Sequence, residues 1–446
     1  MSVIPELRDL IAATPLADTH EHIIEEEDRL VPPGESFLFP SDDIFYLLAH
    51  YVANDLVSAG MTGQDLQLVL SPDPDLGKKW AILEPYWQKV KLTGYGLALR
   101  ITLRELYQEE DITSSNLETL NGRYRERVRP GFYREILRDA AGIDHCQVNS
   151  LQRIFCETSY PDLLRQDISL MPLSTPPDVG GMARETGVEA ATVEGWYEVI
   201  DRVFERYGPK AVAVKSQAAY GRPLNYEDVP KETAAPLFER HARGEELARP
   251  EMKALQDHLF RRCVSVATDY GLVVKLHTGY YAGNNYMPLD RVGGNPADLC
   301  ALLRDFPRTT FDIFHIGYPY QQEMIAVAKH FTNACIDMCW AWIIDPNACV
   351  RFLQDFLVTV PWHKLHVFGG DFFPVENVVG HAAVARRGIG LALSRLVEDG
   401  WLTLDQALAL VPELMHRNAG RNFGLESRPG TAAQSAGSAS PSGLQS

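Results

Sequence analysis

Near the start of the chain, the stretch ADTHEHIIEEE places His20 and His22 on either side of Glu21. On an extended strand residues i and i+2 share a face, so the two imidazoles project together while Glu21 points away. Such a pair chelates. Joined by a carboxylate it suits zinc first, with manganese or iron as alternatives, and an open coordination position would hold an activated water. A short motif in a chain with 13 histidines carries little weight alone. Other polar residues close apolar runs further along: Lys215 in AVAVKSQ, His277 in LVVKLHTG, His315 in TTFDIFHIG and Asp371 in KLHVFGGD. Each has a plainer reading. His277 and His315 suit satisfied core histidines, Lys215 a buried or substrate-facing ammonium, and Asp371 a helix cap. Their agreement across successive runs points to a metal centre.

The elements that must position these residues are short. PLADTH, ISLMPLS near residue 168, AVAVKSQ, LVVKLHTG, TTFDIFHIG, TNACIDMCW and KLHVFGGD read as strands of a parallel sheet buried on both faces. Between them lie stretches of helical length and period. EMKALQDHLFRRCVSVATDYG ends in a glycine stop, and NPADLCALLRDFP offers Asn295 as a cap and Pro296 for the first turn. The alternation predicts an α/β fold, a (β/α)8 TIM barrel over residues 1–425, with its site at the strand C-termini. No GxGxxG follows the first strand, which argues against a dinucleotide-binding open sheet. Residues 25 to 135, rich in helix formers and aromatics, predict a helical insertion after strand 1 that serves as a lid or side domain. Residues 426–446, mostly Ser, Ala, Gly and Pro, predict a disordered tail.

Composition narrows the class of function. The chain has 446 residues, 46% hydrophobic and 23% charged, which is the balance of a globular protein with a sizeable core. Its net charge, 42 − 59 = −17, with no basic run, excludes a phosphate-tracking surface, so a small molecule is expected as partner rather than nucleic acid. No apolar run reaches the roughly 20 residues of a membrane helix, and the N-terminus lacks a secretory pattern, so a cytoplasmic protein with no membrane partner is expected. Seven cysteines without a CxxC pair read as free, mostly core thiols, Cys335 and Cys339 included. A homo-oligomer is expected.

In the order HxH, Lys215, His277, His315, Asp371 the chain resembles the amidohydrolase superfamily over nearly its whole length. KLHTGYYAGNN, DMCWAWIIDP and GGDFFPVENVVGHAAVARRG are similar to the fifth, seventh and eighth strands of the uronate isomerase branch and its amidohydrolase-2 relatives. LTLDQALALVPELMHRNAGRNFGL resembles the ending common to the superfamily. FHIGYPY, with His315, looks more like the hydrolytic amidohydrolase-2 members. The resemblance implies His20, His22 and Asp371 as metal ligands, then His277 and His315, with Lys215 a carboxylated bridge if two metals bind. It implies a metal-dependent hydrolase acting on an amide, ester or lactone of a small, carboxylated substrate, with Asp371, assisted by His315 and His277, moving the proton. The alternative is a uronate isomerase-like aldose–ketose isomerase or a non-oxidative decarboxylase on one metal. For the substrate, Trp340 and Trp342 on one face of the seventh strand, with Tyr280 and Tyr281, would line a wall. Arg386 or Arg387 would clamp a carboxylate, and Asn284 and Asn285 would bond hydroxyls. A core, a solvated helix face and a turn are the respective plainer readings.

Overall fold

The computed structural model describes residues 2–34, 37–283 and 289–425; the tail from 426 onward, and Asn284 and Asn285, lie outside them. Among the described residues, the strands are β1 (Leu16–Glu21), β2 (Ile143–Val148), β3 (Leu164–Gln166), β4 (Ile168–Ser169), β5 (Ala213–Ser216), β6 (Val273–Leu276), β7 (Phe311–Ile313), β8 (Ala334–Asp337) and β9 (Leu365–His366). All pair in parallel, in the orders β1-β2-β3 and β4 through β9. Asp167 alone separates β3 from β4, so the two form one broken strand and the ring has eight. The ring closes between first and last strand through Thr19 N–H to Phe368 O at 3.0 Å and Asp371 N–H to His20 O at 2.9 Å. This is a (β/α)8 barrel.

Helices wrap the ring for the usual reason of period. In Val193–Tyr207 the buried positions Trp196, Val199, Ile200, Val203 and Phe204 form one stripe, and Thr192 caps the start by accepting from Gly195 N–H. Arg249–Asp269 ends before Gly271, whose φ of +66° is the left-handed turn that glycine permits. The helix Asn377–Glu398 lies so close to Gly94–Tyr107 that a Cβ at Gly380 would stand 1.8 Å from Ala98 O.

Several local expectations change. ISLMPLS gives only two strand residues before the helical turn Met171–Ser174. IDHCQV, a strand, shows no alternation because polar residues are buried along it: Cys146 Sγ–H donates to Asp18, and His145 contacts Asp144. Asn295 does not cap its helix. It is the first helical residue, and its side chain accepts from Gly279 N–H at 2.9 Å.

Between β1 and β2 run helical segments from Glu26 to Ala140. They are tied to the barrel by Arg29, almost fully buried, which donates to Glu376 at 3.3 Å and to Tyr124 and lies over the rings of Phe39 and Tyr46. The barrel interior is itself charged. Lys275 on β6 bonds Asp167 at 2.8 Å and Thr19 O at 2.8 Å, and His366 on β9 bonds Asp312 at 2.9 Å. At the opposite end from the strand C-termini, Ala419, Phe423 and Leu425 close the floor against Ala17, Val212 and Val273.

Candidate metal centre

The strand ends bring five side chains together. His20 Nε2 and His22 Nε2 stand 3.3 Å apart, and Asp371 Oδ1 lies 3.3 Å from the first and 3.2 Å from the second. Across the mouth, His315 Nε2 is 3.0 Å from His277 Nδ1 and 3.9 Å from Asp371 Oδ2. All five are buried.

What these atoms carry decides what they can hold. A carbonyl oxygen only accepts, so the ring nitrogen facing it must donate. His22 Nδ1 faces Asn149 O at 2.8 Å, His277 Nε2 faces Tyr280 O at 2.9 Å, and His315 Nδ1 faces Cys339 O at 2.9 Å. Each neutral ring has then spent its proton, and His22 Nε2, His277 Nδ1 and His315 Nε2 present bare lone pairs. Burial keeps the rings neutral: it lowers His22 to about 3 and holds His20, His277 and His315 well below their ordinary value, with the nearby Lys215 charge adding to the effect. Lone pairs at about 3 Å with no proton between them repel one another unless a cation sits among them. The donor set of nitrogens plus carboxylate therefore fits a divalent metal.

Asp371 is gripped by the first strand. Asp18 accepts from Gly370 N–H, His20 O accepts from Asp371 N–H, and Glu21 accepts from Phe372 N–H at 2.7 Å. Glu21, expected to point away, is thus a fully buried clamp on the last strand. Strain also collects here. His315, Trp340 and Asp371, at φ of +63°, +60° and +62°, adopt the left-handed backbone that non-glycine residues rarely take and that marks functional positions. Burial raises the Asp371 carboxyl to about 7, against the pull of Lys215 and of the nearby Tyr51 hydroxyl. A group near neutrality suits proton transfer.

Lys215 is fully buried among these residues. Its Nζ makes no hydrogen bond to the described residues, lies 3.7 Å over the Phe314 ring, and burial lowers it to about 8. It stands beside the ligand cluster as a buried ammonium that gives up its proton more readily than an ordinary lysine.

The aromatic expectations divide. Trp340 is at the site, 5.1 Å from the His315 ring and 5.9 Å from Tyr280, and Tyr281 stacks near His277 at 6.0 Å. Trp342 is not. β8 ends at Asp337 and the chain turns into the helical stretch Ala341–Ile344, so the two tryptophans do not share a strand face. Trp342 is core: its Nε1–H donates to Val367 O, and its ring lies where a Cβ at Gly388 would come within 2.1 Å. Arg386 cannot clamp a substrate either. It donates to Ile11 O, Thr14 O and Gly142 O, at the N-terminal ends of β1 and β2 and so at the far end of the barrel. Arg387, one residue on, is exposed on that same helix. Both follow a strand in sequence, but the helix runs antiparallel to it and carries them away from the mouth.

Residues that sequence reasoning missed come from distant segments. Tyr51, on the helical segment after β1, stacks on Trp340 at 4.7 Å, and neighbouring His50 stacks on Phe373 at 3.9 Å. Nothing in FYLLAHYVANDL marks either as facing a site. Asn149 acts only through its carbonyl, which no side-chain pattern reports. Beside His22 a narrow crevice of about 20 Å³, room for little more than a water, opens among Glu25, Gln152, Arg153 and Gln166.

A parallel barrel with such a donor set at its strand ends is an arrangement that could hold a divalent ion. Residues 227–425 match the family model described as amidohydrolase. The chain is 27% identical over 241 residues to Protein fluG of Emericella nidulans, covering 51% of this chain and 27% of that protein. It is 23% identical over 207 residues to the uronate isomerase of Xanthomonas campestris, covering 43% of each. The alignments thus span less than half the length of these relatives. Among solved structures, the glucuronate isomerase of Caulobacter crescentus superposes with a TM-score of 0.75 at 17% identity over 95% of both chains. The uronate isomerase of Thermotoga maritima does so with a TM-score of 0.71 at 13% identity, over 94% of this chain and 98% of that one. The chain is thus similar to amidohydrolases over residues 227–425, and its fold is that of the solved uronate isomerases. Among the described residues no helix is long and apolar enough to cross a membrane.

Proposed function

We propose that the protein is a metal-dependent aldose–ketose isomerase acting on a small polyhydroxylated acid, with His20, His22 and Asp371 holding a divalent ion, zinc first. The observation that carries this is the convergence of His20 Nε2 and the proton-free His22 Nε2 on the Asp371 carboxylate. The likeness to uronate isomerases adds the substrate class. When bound, the ion would polarise a carbonyl and the neighbouring hydroxyl, lowering the pKa of the hydrogen between them.

The chain's own residues supply the rest. Asp371 and the Tyr51 hydroxyl beside it form a proton-carrying pair at the mouth. Trp340 and Tyr51 make a flat wall that excludes water from one side of the reacting carbons. Arg153, exposed at the rim of the crevice beside His22, is the cation we assign to a substrate carboxylate in place of Arg386 and Arg387. Lys215, unpaired among the described residues, can hold the negative charge that develops on a substrate oxygen.

A second reading is hydrolysis of an amide, ester or lactone. Lys215 favours it as a free, partly deprotonated amine able to form a bridging carbamate, and so does the family description. The test incubates metal-loaded protein in deuterated water with D-glucuronate and D-galacturonate and follows ketose formation by proton NMR. Isomerisation gives a ketose with deuterium beside the carbonyl. Absence of both, with turnover of an ester or lactone panel, would replace the first reading with the second.

A further inference from the structure

We infer that Cys339 is a metal ligand: its thiol, His315 Nε2 and Asp371 form a second, softer pocket that adjoins the His20/His22 pocket and takes zinc, cadmium or cobalt. The inference rests on the metal-centre reading and departs from the expectation that Cys339 is an inert core thiol.

Three observations carry it. The ligand atoms of His315, Cys339 and Asp371 lie within 4.8 Å of one another and are all buried, and Asp371 belongs to both groups. One oxygen faces His20 and His22, and the other is the nearer to His315. The nitrogen donors here are as bare as those across the mouth. His315 spends its proton on the carbonyl of Cys339 itself, and His277 Nδ1 stands 3.0 Å away with its own proton spent on Tyr280 O. One residue thus fixes the tautomer of its neighbour and presents sulfur beside it.

The sulfur is held and left free. Cys339 N–H donates to Asp337 at 2.7 Å, and its thiol makes no hydrogen bond among the described residues. A Cβ at Gly369 would stand 2.8 Å from Sγ, so a glycine just after the last strand makes room for it. Cys335, four residues earlier, differs: Asn422 reaches its sulfur at 3.7 Å near the barrel floor. Cys146 is occupied with Asp18. On binding, the Cys339 thiol proton passes to solvent and the residue enters as thiolate, a donor that selects soft ions over manganese or magnesium.

The test adds cobalt(II) to the full chain stripped with EDTA. The expected result is near-ultraviolet sulfur-to-cobalt charge-transfer absorption, lost in Cys339→Ser and in Cys339→Ala but kept in Cys335→Ser. Running both variants leaves the comparison intact if one fails to fold, as judged by circular dichroism. The preference for cadmium over manganese falls at least about tenfold with the sulfur. Bound cobalt without the absorption, or absorption that survives loss of Cys339, overturns the inference while the His20/His22 centre stands. Failure to bind cobalt at all removes both.

Discussion

Replacing Gly370 with alanine tests the clamp that holds Asp371. The added Cβ would stand 1.8 Å from Glu21 Oε1 and 2.7 Å from its carboxyl carbon. Glu21 is fully buried, so its carboxylate must swing off Phe372 N–H, which it now meets at 2.7 Å. The unpaired N–H costs about 1–3 kcal/mol and the overpacking about 1–3 kcal/mol, or about 2–6 kcal/mol together. With an unfolding entropy of about 2.1 cal/mol/K per residue, 446 residues give about 0.9 kcal/mol/K, so Tm falls by about 2–6 °C. Metal affinity falls with it, at least about tenfold, because the displaced carboxylate orients a ligand. The assay is differential scanning calorimetry of metal-free Gly370→Ala, Glu21→Ala and the double variant, with metal affinity by competition against a chelating dye. Since Glu21→Ala removes the atoms that clash, the two changes are non-additive by at least about 1 kcal/mol. A Tm loss under about 1 °C for Gly370→Ala, or strict additivity, would refute the clamp.

Other outcomes follow from the same contacts. Lys275→Met strands the fully buried Asp167 carboxylate, lowering stability by about 3–5 kcal/mol, and Asp167→Leu in the same chain recovers most of the loss in a thermal melt. Burial lowers Lys215 from 10.5 to about 8, so between those values the unfolded chain binds the extra proton and stability rises with pH. At about 1.4 kcal/mol per pH unit the wild type gains about 3 kcal/mol over that window relative to Lys215→Met, and parallel denaturation curves of the two would speak against the buried amine. Gly380→Ala drives a Cβ into the Ala98 carbonyl, which cannot rotate away, and destabilises by about 1–3 kcal/mol or more; an unchanged melt would mean the two helices are not in contact there.

The barrel was legible because its chemistry-bearing residues end apolar runs. His20, His22, His277, His315 and Asp371 could be placed at one mouth from their positions at the ends of apolar runs, and the structure brings them together. Two strands escaped notice for a physical reason: a barrel interior holding Asp18, Asp167, Lys275 and His366 tolerates polar residues in strands, so IDHCQV and LRQ lack the apolar signal. The substrate wall was only half legible. Trp340 and Trp342 are two apart, but a left-handed residue at 340 ends the alternation on which a shared face depends. Arg386 was misplaced because sequence nearness to a strand end ignores the length of the helix between mouth and floor. Tyr51 and Asn149 act through tertiary placement and a backbone carbonyl, which no local pattern encodes.

The most direct measurement is the metal content per chain, by elemental analysis, of protein reconstituted with zinc, set beside Asp371→Asn and His22→Ala. Asp371 serves both proposed pockets and His22 Nε2 only one. Stoichiometric zinc in the wild type, nearly all lost in Asp371→Asn and partly lost in His22→Ala with folding preserved, is the predicted result. Wild-type protein that takes up no zinc, or Asp371→Asn that keeps it all, would contradict the metal centre.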